Sequence, residues 1–402
     1  MLERRLDDWL NGFLEYTSNS EPPRLFRVWT ALSVIASALQ RKCSLPWGTL
    51  TFYPNLYVVL VAPSGKARKG TAMGPGMEFL EDLEIKMAAE ATTRESLIRE
   101  VKNSNDQIIH PDGKVEFHAS LTIYSQELTV FLGYQNRQLM SDLTDWYDCR
   151  KRWTYRTKNM GTDDIIGIWI NLIGATTPDL IQTSLPLDAI GGGLTSRMIF
   201  VYEQRKGKIV PVPFLSPEEI ELRQKLLMDL EQIHMIQGKF KVSPDFLDTW
   251  IPWYTSQENN PPFQDDRFSG YFERRPTHAM KLSIILSASR SNDMIVKRED
   301  LERAIRLLEE TERKMPYTFS GVGKSDTADT VNRIMTEIGI QKKCTFSHLL
   351  GRFYHDIDKN TLEKIIESLE AMKFVTFNYD AEEQQRIIVC QRDSAFVNDL
   401  EL

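Results

Sequence analysis

The chain has 402 residues, of which 42% are hydrophobic and 26% are charged, and its formal net charge is −7. This composition excludes disordered, collagen-like and low-complexity proteins, and at ~100–200 residues per domain the length predicts two to four domains. The sequence lacks both the ~18 uninterrupted apolar residues of a membrane span and the apolar stretch of a signal peptide, so we expect a cytoplasmic protein without membrane association. The negative charge argues against a protein that coats nucleic acid, but it leaves local DNA binding open.

Residues 1–50 predict an N-terminal helical segment. An apolar stripe from Leu6 to Leu14 has helical spacing, and a second, more buried helix is predicted from Phe26 to Leu39. The polar break SNSEPP separates the two helices.

Residues 51–210 predict an α/β core, because apolar strands alternate with helices. The run TFYPNLYVVLV (51–61) ends in five apolar residues, which is typical of a strand buried on both faces of a parallel sheet. A helix is expected around Met73 to Ala91. The further strands are predicted in the segments 120–128, 164–177 and 196–203.

The remaining sequence is predominantly helical. Residues 211–318 predict a helical lid, and the Gly/Ser-rich stretch 319–326 is typical of a linker. Residues 327–402 follow the order helix, short helix, helix and hairpin, which predicts a winged-helix domain.

A Gly-rich basic loop, APSGKARKGT (62–71), lies between the first core strand and a helix. This order is typical of a phosphate-binding loop, in which backbone N–H groups and a helix N-terminus face phosphate oxygens. The pattern G-x-x-x-x-G-K-[ST] is not matched, because Gly70 separates Lys69 from Thr71. We assign Lys69 to the β/γ-phosphates and the Thr71 hydroxyl to Mg²⁺, with Lys66 as the alternative lysine and a basic surface loop as the competing interpretation. The predicted nucleotide-binding residues of the loop are Pro63, Ser64, Gly65, Lys66, Lys69, Gly70 and Thr71.

Polar side chains end the next two core strands. Glu127 follows the strand LTIYS, where a carboxylate can polarise an attacking water and hold Mg²⁺, although Ser125 and Gln126 stand where an Asp is common. Thr176 and Thr177 end the following strand at the edge where open α/β sheets bind ligands. The competing interpretations are a solvated Glu and an ordinary Thr-Pro turn.

Arg197 follows a run of three glycines and leads into the fourth core strand. An arginine so placed can reach the γ-phosphate of a neighbouring subunit as an arginine finger. A surface salt bridge is the alternative.

Taken in order, these segments resemble the AAA+-type ATPases of phage and prophage replication modules, which are similar to superfamily III and minichromosome-maintenance helicases. The stretch NLIGATTPDLI…GGGLTSRMIFVYE carries the resemblance in particular, and the likeness covers roughly residues 40–315. It implies an α/β P-loop NTPase core with a helical lid. It also implies a hexameric ring that hydrolyses ATP with Mg²⁺ at subunit interfaces and translocates on DNA.

The resemblance also gives roles to individual residues. Lys69 and Thr71 match the phosphate loop, Glu127 the acidic strand end, Thr176 the polar sensor and Arg197 the finger. Arg275, just before the helix THAMKLSIILSAS, matches a second sensor in the lid, and Arg274 is equally possible.

The run CRKRWTYRTK (149–158) combines cations with aromatic side chains. Ring helicases of the type resembled place a channel-lining hairpin at this point, and such a hairpin suits single-stranded DNA because cations track phosphates and aromatic rings stack on bases. The alternative is a solvated turn whose Trp packs into the core. The predicted DNA-binding residues are Arg150, Lys151, Arg152, Trp153, Tyr155, Arg156 and Lys158.

The function predicted from these patterns is an ATP-dependent, ring-forming DNA helicase or replication-initiator ATPase of a phage or mobile element, acting in the host cytoplasm. The alternative is a catalytically weak ATP-binding loader or scaffold, which binds DNA or a replication protein through the winged helix. Single-stranded DNA is expected in the ring channel, and duplex DNA at the winged helix.

Overall fold

The structure is a computed structural model that describes residues 3–90, 92–109, 113–134, 136–157, 161–185, 191–257, 261–263, 265–319, 328–354, 356–371, 374–380 and 385–390. The chain divides into two compact units, Met1–Ser320 and Gly321–Leu402. The segments interpreted as N-terminal helices, α/β core and helical lid all belong to the first unit.

The first unit mixes helices with strands. Its helices are α1 (Trp9–Tyr16), α2 (Arg24–Leu39), α3 (Lys69–Asp82), α4 (Arg94–Asn103), α5 (Leu128–Leu132), α6 (Arg137–Tyr147), α7 (Pro178–Ser184), α8 (Pro217–His234), α9 (Phe246–Ser256), α10 (Ser269–Arg290) and α11 (Arg298–Glu312). Its strands are β1 (Cys43–Trp47), β2 (Leu50–Phe52), β3 (Tyr57–Val61), β4 (Asn105–Ile109), β5 (Val115–Ser125), β6 (Arg152–Thr157), β7 (Gly161–Ile166), β8 (Ile168–Thr176), β9 (Met198–Tyr202), β10 (Gly238–Lys239), β11 (Lys241–Val242) and β12 (Ile295–Val296).

A five-stranded sheet in the order β4-β5-β8-β3-β9 forms the centre of this unit. Strands β5, β8, β3 and β9 are parallel, and β4 pairs antiparallel at the edge. Strands β3 and β8 are buried along their whole length, as the apolar run of β3 and the largely apolar sequence of β8 predict. The predicted α/β class with a parallel sheet is therefore confirmed.

Helices cover both faces of the sheet. Asn171 in β8 donates to the Ser33 and Ser37 hydroxyls of α2, at 2.9 and 3.0 Å. The Tyr57 hydroxyl donates to the Leu143 carbonyl of α6 at 2.9 Å. Because Tyr57 lies level with the residue after Asn171, and successive side chains of a strand alternate, α2 and α6 lie on opposite faces.

The helices of residues 217–312 pack around α1 and α2. In α2, 14 of 16 residues are buried, so this helix is enclosed on nearly all sides. Trp29 in α2 donates to the Thr311 hydroxyl of α11 at 2.9 Å, and Trp9 in α1 donates to the Leu226 carbonyl of α8 at 2.8 Å. These contacts join the two N-terminal helices to the helices of residues 217–312 in one core.

Three element predictions are corrected. The helix expected around Met73 to Ala91 spans Lys69–Asp82. The strand expected over 164–177 is two strands, because Gly167 adopts a φ of +62° between β7 and β8. The helix that follows Arg274 and Arg275 begins at Ser269, so both arginines lie inside α10.

The second unit has its own small core. Its elements are α12 (Ala328–Gln341), β13 (Lys343–Thr345), α13 (Phe346–Phe353), α14 (Lys359–Ala371), β14 (Val375–Asp380) and β15 (Gln385–Cys390). The three strands form an antiparallel sheet in the order β13-β15-β14. Buried side chains from the helices and the sheet meet in one cluster that includes Ile338, Leu349, Leu362, Leu369 and Ile388.

Within the described ranges, none of the helices has the length and apolar character needed to cross a membrane.

The contact between α2 and α3 yields a stability prediction. A methyl group at Gly76 in α3 would lie 2.6 Å from Thr30 Cγ2 and 2.7 Å from the Tyr124 hydroxyl, so Gly76→Ala should lower the free energy of unfolding by about 1–3 kcal/mol. Gly74→Ala on the same helix is the matched control, because it meets no atom within 4 Å and should raise that free energy by about 0.5–1 kcal/mol. Denaturant unfolding of the two variants measures both effects, and equal changes would contradict the packing argument.

Candidate functional site

The loop between β3 and α3 lies at the carboxyl edge of the central sheet. It leaves the buried strand after Val61, exposes Ser64, Gly65 and Lys66, and ends at Arg68. Gly65 and Arg68 adopt φ values of +70° and +55°, which turn the chain sharply into the helix. The first N–H groups of α3 lack helical partners, so this end of the helix favours an anion.

Lys69 is the first residue of α3 and is half-buried. Its Nζ donates to the Ala62 carbonyl at 2.8 Å, so the amine lies back across the base of the loop. Burial lowers the pKa of Lys69, and the negative charge of Glu127 opposes that shift. Lys66 is exposed in the middle of the loop. Of the two candidate lysines, Lys69 is therefore the one whose partly buried positive charge a bound anion would stabilise.

The end of β5 meets the first turn of α3. Gln126 and Glu127 are both exposed immediately after the strand. A Cβ built on Gly70 would lie 3.1 Å from Gln126 Oε1, so the Gln126 amide covers the start of the helix. The structure thus brings Glu127 and Lys69, which are 58 positions apart in the sequence, to one edge of the sheet.

Thr176 lies at the same edge. It ends β8 level with Val61, and its carbonyl accepts a hydrogen bond of 3.3 Å from the Ala62 amide. Thr177 has a structural role, because its hydroxyl accepts from the Leu180 amide at the start of α7.

The donor set at this edge fits Mg²⁺. Thr71, the third residue of α3, exposes a hydroxyl, and Glu127 exposes a carboxylate. Magnesium uses one or two protein oxygens together with substrate phosphates and water, so a larger cluster is not required. In the described part of the chain, no three His, Cys, Asp or Glu side chains group in a way that could hold a metal ion.

Glu21 is a member of this edge that the sequence analysis missed. Its carboxylate accepts from Lys206 Nζ at 2.6 Å and from Arg68 Nε at 2.7 Å. The hydrogen bonds from Lys206 and Arg68 hold the pKa of Glu21 at about 2. Glu21 therefore joins the loop to the segment after β9. A single Glu inside the break SNSEPP gives no sequence signal for such contacts.

Arg197 lies at the opposite, amino edge of the sheet. Met198, the next residue, is level with Tyr57 at the start of β3. At about 3.3 Å per residue, the five-residue strand separates Arg197 from its own loop by about 16 Å. The side chain is largely buried, and it donates to Asp148 Oδ2 at 2.7 Å and to the Gly193 carbonyl at 2.9 Å.

Arg275 and Arg274 are not brought to the loop. Arg275 is buried and forms a bidentate ion pair with Glu312, with N–O distances of 2.6 and 2.8 Å, and it also donates to Gln257. Arg274 lies 3.4 Å from Asp148 Oδ1, beside Arg197. Partners 37 or 126 positions away cannot be inferred from the local pattern.

The basic-aromatic run forms a hairpin, β6–β7, whose two faces differ. Arg152 and Arg156 are exposed on one face. Trp153 and Tyr155 are half-buried on the other, where Trp153 packs edge-on against buried Trp146 at 5.3 Å between ring centroids. The rings therefore contact the protein, as in the alternative interpretation that packs the Trp into the core.

The charges before the hairpin and at its start are partly paired. Arg150 and Lys151 precede the strand and are exposed, and Arg150 forms an ion pair with Asp145 at 3.1 Å. Arg152 pairs with Asp164 on β7. Lys158, also predicted to bind DNA, lies outside the described residues.

No protein-family model matches the chain, and a search of curated proteins likewise gives no match.

The buried pair Arg275–Glu312 yields a second prediction. Arg275→Leu leaves the Glu312 carboxylate buried without its counter-charge, so we expect the free energy of unfolding to fall by about 3–5 kcal/mol. Arg298→Leu is the control, because the exposed pair Arg298–Glu302 contributes only about 0–1 kcal/mol. Chemical denaturation tests both variants, and equal stabilities would show that Arg275 is free for another role.

Proposed function

We propose that this chain is an ATP-hydrolysing, ring-forming DNA helicase or replication-initiator ATPase. The observation that carries the proposal is the convergence of Lys69, Glu127 and Thr176 at the carboxyl edge of a parallel sheet. In open α/β sheets this edge is where ligands bind.

The chemistry that the edge supports is phosphoryl transfer to water. The first N–H groups of α3 and the Lys69 ammonium neutralise the β/γ-phosphates, while Thr71 and Glu127 supply oxygen ligands for Mg²⁺. Bound Mg²⁺ supplies charge neutralisation on the phosphates. Glu127 accepts a proton from the attacking water, and Thr176 orients that water.

The strand order supports a P-loop fold for the core. The chain leaves β3, forms β5 two positions away, returns to insert β8 between them, and then adds β9 on the other side of β3. The loop after β3 therefore lies where the strand order reverses, with later strands added on both sides of β3, and such a position favours a crevice for a nucleotide.

The order of elements in the second unit supports a winged-helix interpretation. Three helices, α12, α13 and α14, precede the hairpin β14–β15, which has the position of a wing. We propose duplex DNA or a replication protein as its partner.

The position of Arg197 supports assembly into a ring, for which we propose six subunits. An arginine at the edge opposite its own loop can meet a nucleotide only on another copy of the chain. A head-to-tail contact of this kind gives a closed ring when the rotation that relates one subunit to the next adds up to a full turn.

One observation favours the alternative function, a weak ATP-binding loader or scaffold. The neutral Gln126 amide covers the start of α3, where a carboxylate would hold Mg²⁺ more strongly. Measured turnover decides between the two functions.

The nucleotide site is tested first. Lys69→Ala should lower ATP turnover by about 100-fold or more, because the charge on the β/γ-phosphates is no longer compensated, whereas Lys66→Ala should change turnover less than about threefold. Steady-state ATP hydrolysis with and without DNA measures both variants. The reverse result would transfer the phosphate role to Lys66.

A second arm of the same experiment separates binding from chemistry. Glu127→Gln should keep the affinity for ATP and lose turnover, because the amide cannot accept the proton from water. Turnover equal to that of the unmodified protein would remove Glu127 from the chemical step and favour the scaffold.

DNA binding is predicted to depend on the exposed cations of the hairpin rather than on its rings. Arg152→Ala/Arg156→Ala should weaken single-stranded DNA binding and reduce the log–log salt slope by about 1.4, at about 0.7 per lost phosphate contact. The control removes two cations elsewhere, the half-buried Lys225 and the exposed Arg298, and should keep the slope. Fluorescence anisotropy across a salt series gives the slopes, and identical slopes would make the hairpin a solvated turn.

A further inference from the structure

An exposed apolar segment follows β9 and takes no part in the proposed ATP site. Residues 205–215, RKGKIVPVPFL, run between β9 and α8 without helical or strand structure, and we call this segment the strap. Pro211 and Pro213 fix their own φ and favour an extended backbone in the residues before them. Single exposed apolar residues are ordinary, whereas a concentration of them is typical of an interaction surface. In the strap, four large apolar side chains are about half exposed or more: Ile209, Val212, Phe214 and Leu215.

The backbone of the strap is held in place although its side chains are exposed. The Gly207 amide donates to the Glu21 carbonyl at 2.9 Å, and the Phe214 carbonyl accepts from Asn19 Nδ2 at 3.1 Å. The Phe214 side chain is nevertheless 82% exposed. Because the backbone is already fixed, docking of this ring would lose little further conformational entropy. Glu21 also binds Arg68, so the strap lies beside the loop at the carboxyl edge of the sheet.

A pocket of aromatic rings and prolines lies at the other edge. Its volume is about 500 Å³, which is within the ~300–1,000 Å³ of typical binding pockets. A Cβ on Gly191 would lie 3.2 Å from the Arg267 carbonyl, so the segment that forms the pocket packs on the glycine loop before Arg197, at the amino edge. Phe263 and Phe268 meet edge to face at 4.9 Å between ring centroids. We call it the aromatic pocket, and its lining includes Pro261, Pro262, Phe263, Asp265, Phe268 and Phe272.

The strap and the aromatic pocket are complementary in chemistry and in charge. Extended proline-containing segments bind in grooves lined by aromatic rings. Arg205 and Lys208 in the strap are exposed and form no ion pair within the described residues. Glu273 is exposed and equally unpaired there, and it lies one helical turn after Ser269, which lines the pocket. A cationic strap is therefore attracted to a pocket with a carboxylate at its rim.

One copy of the chain cannot fill its own pocket. The strand β9 alone separates the two edges of the sheet by about 16 Å, at about 3.3 Å per residue. The hydrogen bond from Asn19 to the Phe214 carbonyl keeps the ring at the carboxyl edge, away from the pocket.

We propose that the strap of one copy of this chain docks in the aromatic pocket of a second copy, with the Phe214 ring as the anchor inside the pocket. The contact joins two different surfaces, so it is head-to-tail and continues from copy to copy. The inference goes beyond the proposed function, because this contact forms whether or not the chain hydrolyses ATP.

Assembly without nucleotide tests the contact. Light scattering across a concentration series should show that the unmodified chain assembles beyond the monomer. Phe214→Asp should raise the dissociation constant by about 100-fold or more, because a buried aromatic anchor dominates a contact of this kind. Met235→Asp is the matched control. It also replaces an exposed apolar side chain, but it lies at the far end of α8 and should change the dissociation constant less than about threefold.

Mixing two defective variants tests the head-to-tail arrangement. Phe214→Asp loses the anchor and keeps the pocket, whereas Phe272→Asp keeps the anchor and loses the pocket. Each should be monomeric alone at concentrations where the unmodified chain assembles. Their 1:1 mixture should form dimers that grow no further, since only one productive contact is available. Native mass spectrometry counts the copies, and a mixture that stays monomeric while both variants keep the unmodified melting temperature overturns the inference.

The charge at the rim is tested separately. Glu273→Lys should raise the dissociation constant by about threefold to tenfold at low ionic strength and by less at high ionic strength, because salt screens the attraction between the rim and the strap. An unchanged dissociation constant at low ionic strength would contradict docking at this pocket.

Photo-crosslinking identifies the surface that the strap contacts without disabling the pocket. The chain with p-benzoylphenylalanine in place of Phe214 is mixed with isotope-labelled unmodified chain, irradiated and digested. We expect cross-links to the peptide that contains residues 261–272 of the labelled copy. Cross-links confined to one copy or directed to another surface overturn the inference, as does their absence.

Failure of the two proposals gives different results. If the chain is not an ATPase, the unmodified protein hydrolyses no ATP but still assembles and gives the expected cross-link. If only the further inference is wrong, ATP is hydrolysed and Phe214→Asp assembles like the unmodified protein. An unmodified chain that is monomeric at every concentration overturns the inference in either case.

Discussion

The parallel register of β3 with its two neighbours is the constraint on which the rest of the first unit depends. Val61 lies level with Thr176 on one side and with Tyr202 on the other, so three strands end at one edge. Because parallel strands all run the same way, each polar residue that follows a strand is delivered to the edge of the loop. Arg197, which precedes its strand, is delivered to the other edge by the same rule.

A buried polar network holds that sheet against α2. Asn171 accepts from the Leu56 amide at 2.9 Å and donates to two serines of α2, and Ser37 also accepts from Thr122 on β5. Buried amide and hydroxyl groups are costly when unpaired, so a shift of α2 along the sheet would break several bonds at once. The helix that carries Lys69 packs on α2, and its position is therefore set by the same network.

Local counter-ions decide which cations are available to a ligand. Glu21 forms an ion pair with Arg68 beside the loop. Asp148 forms ion pairs with Arg197 and Arg274. Glu312 forms a buried ion pair with Arg275. A formal net charge of −7 conveys none of this, because recognition follows the potential at a surface rather than the sum over the chain. Arg275 is buried in a structural pair with Glu312, whereas the largely buried Arg197 and the more exposed Arg274 share the partly exposed carboxylate of Asp148.

The sequence by itself determined the elements that local patterns specify. Apolar runs marked the buried strands β3 and β8, and the loop 62–71 marked the break before α3, because both signals lie within a few neighbouring residues. The parallel class of the sheet followed from the same runs. The candidate edge residues followed from their positions after strands.

Only the tertiary structure decided which side chains meet. Arg275 lies 37 positions from Glu312, Arg68 lies 47 positions from Glu21, and Arg197 lies 49 positions from Asp148. The face on which Trp153 packs is set by Trp146 in another element. An ion pair or ring contact depends on the distance between atoms after folding, and a local pattern carries no information about partners that the chain brings together from so far away.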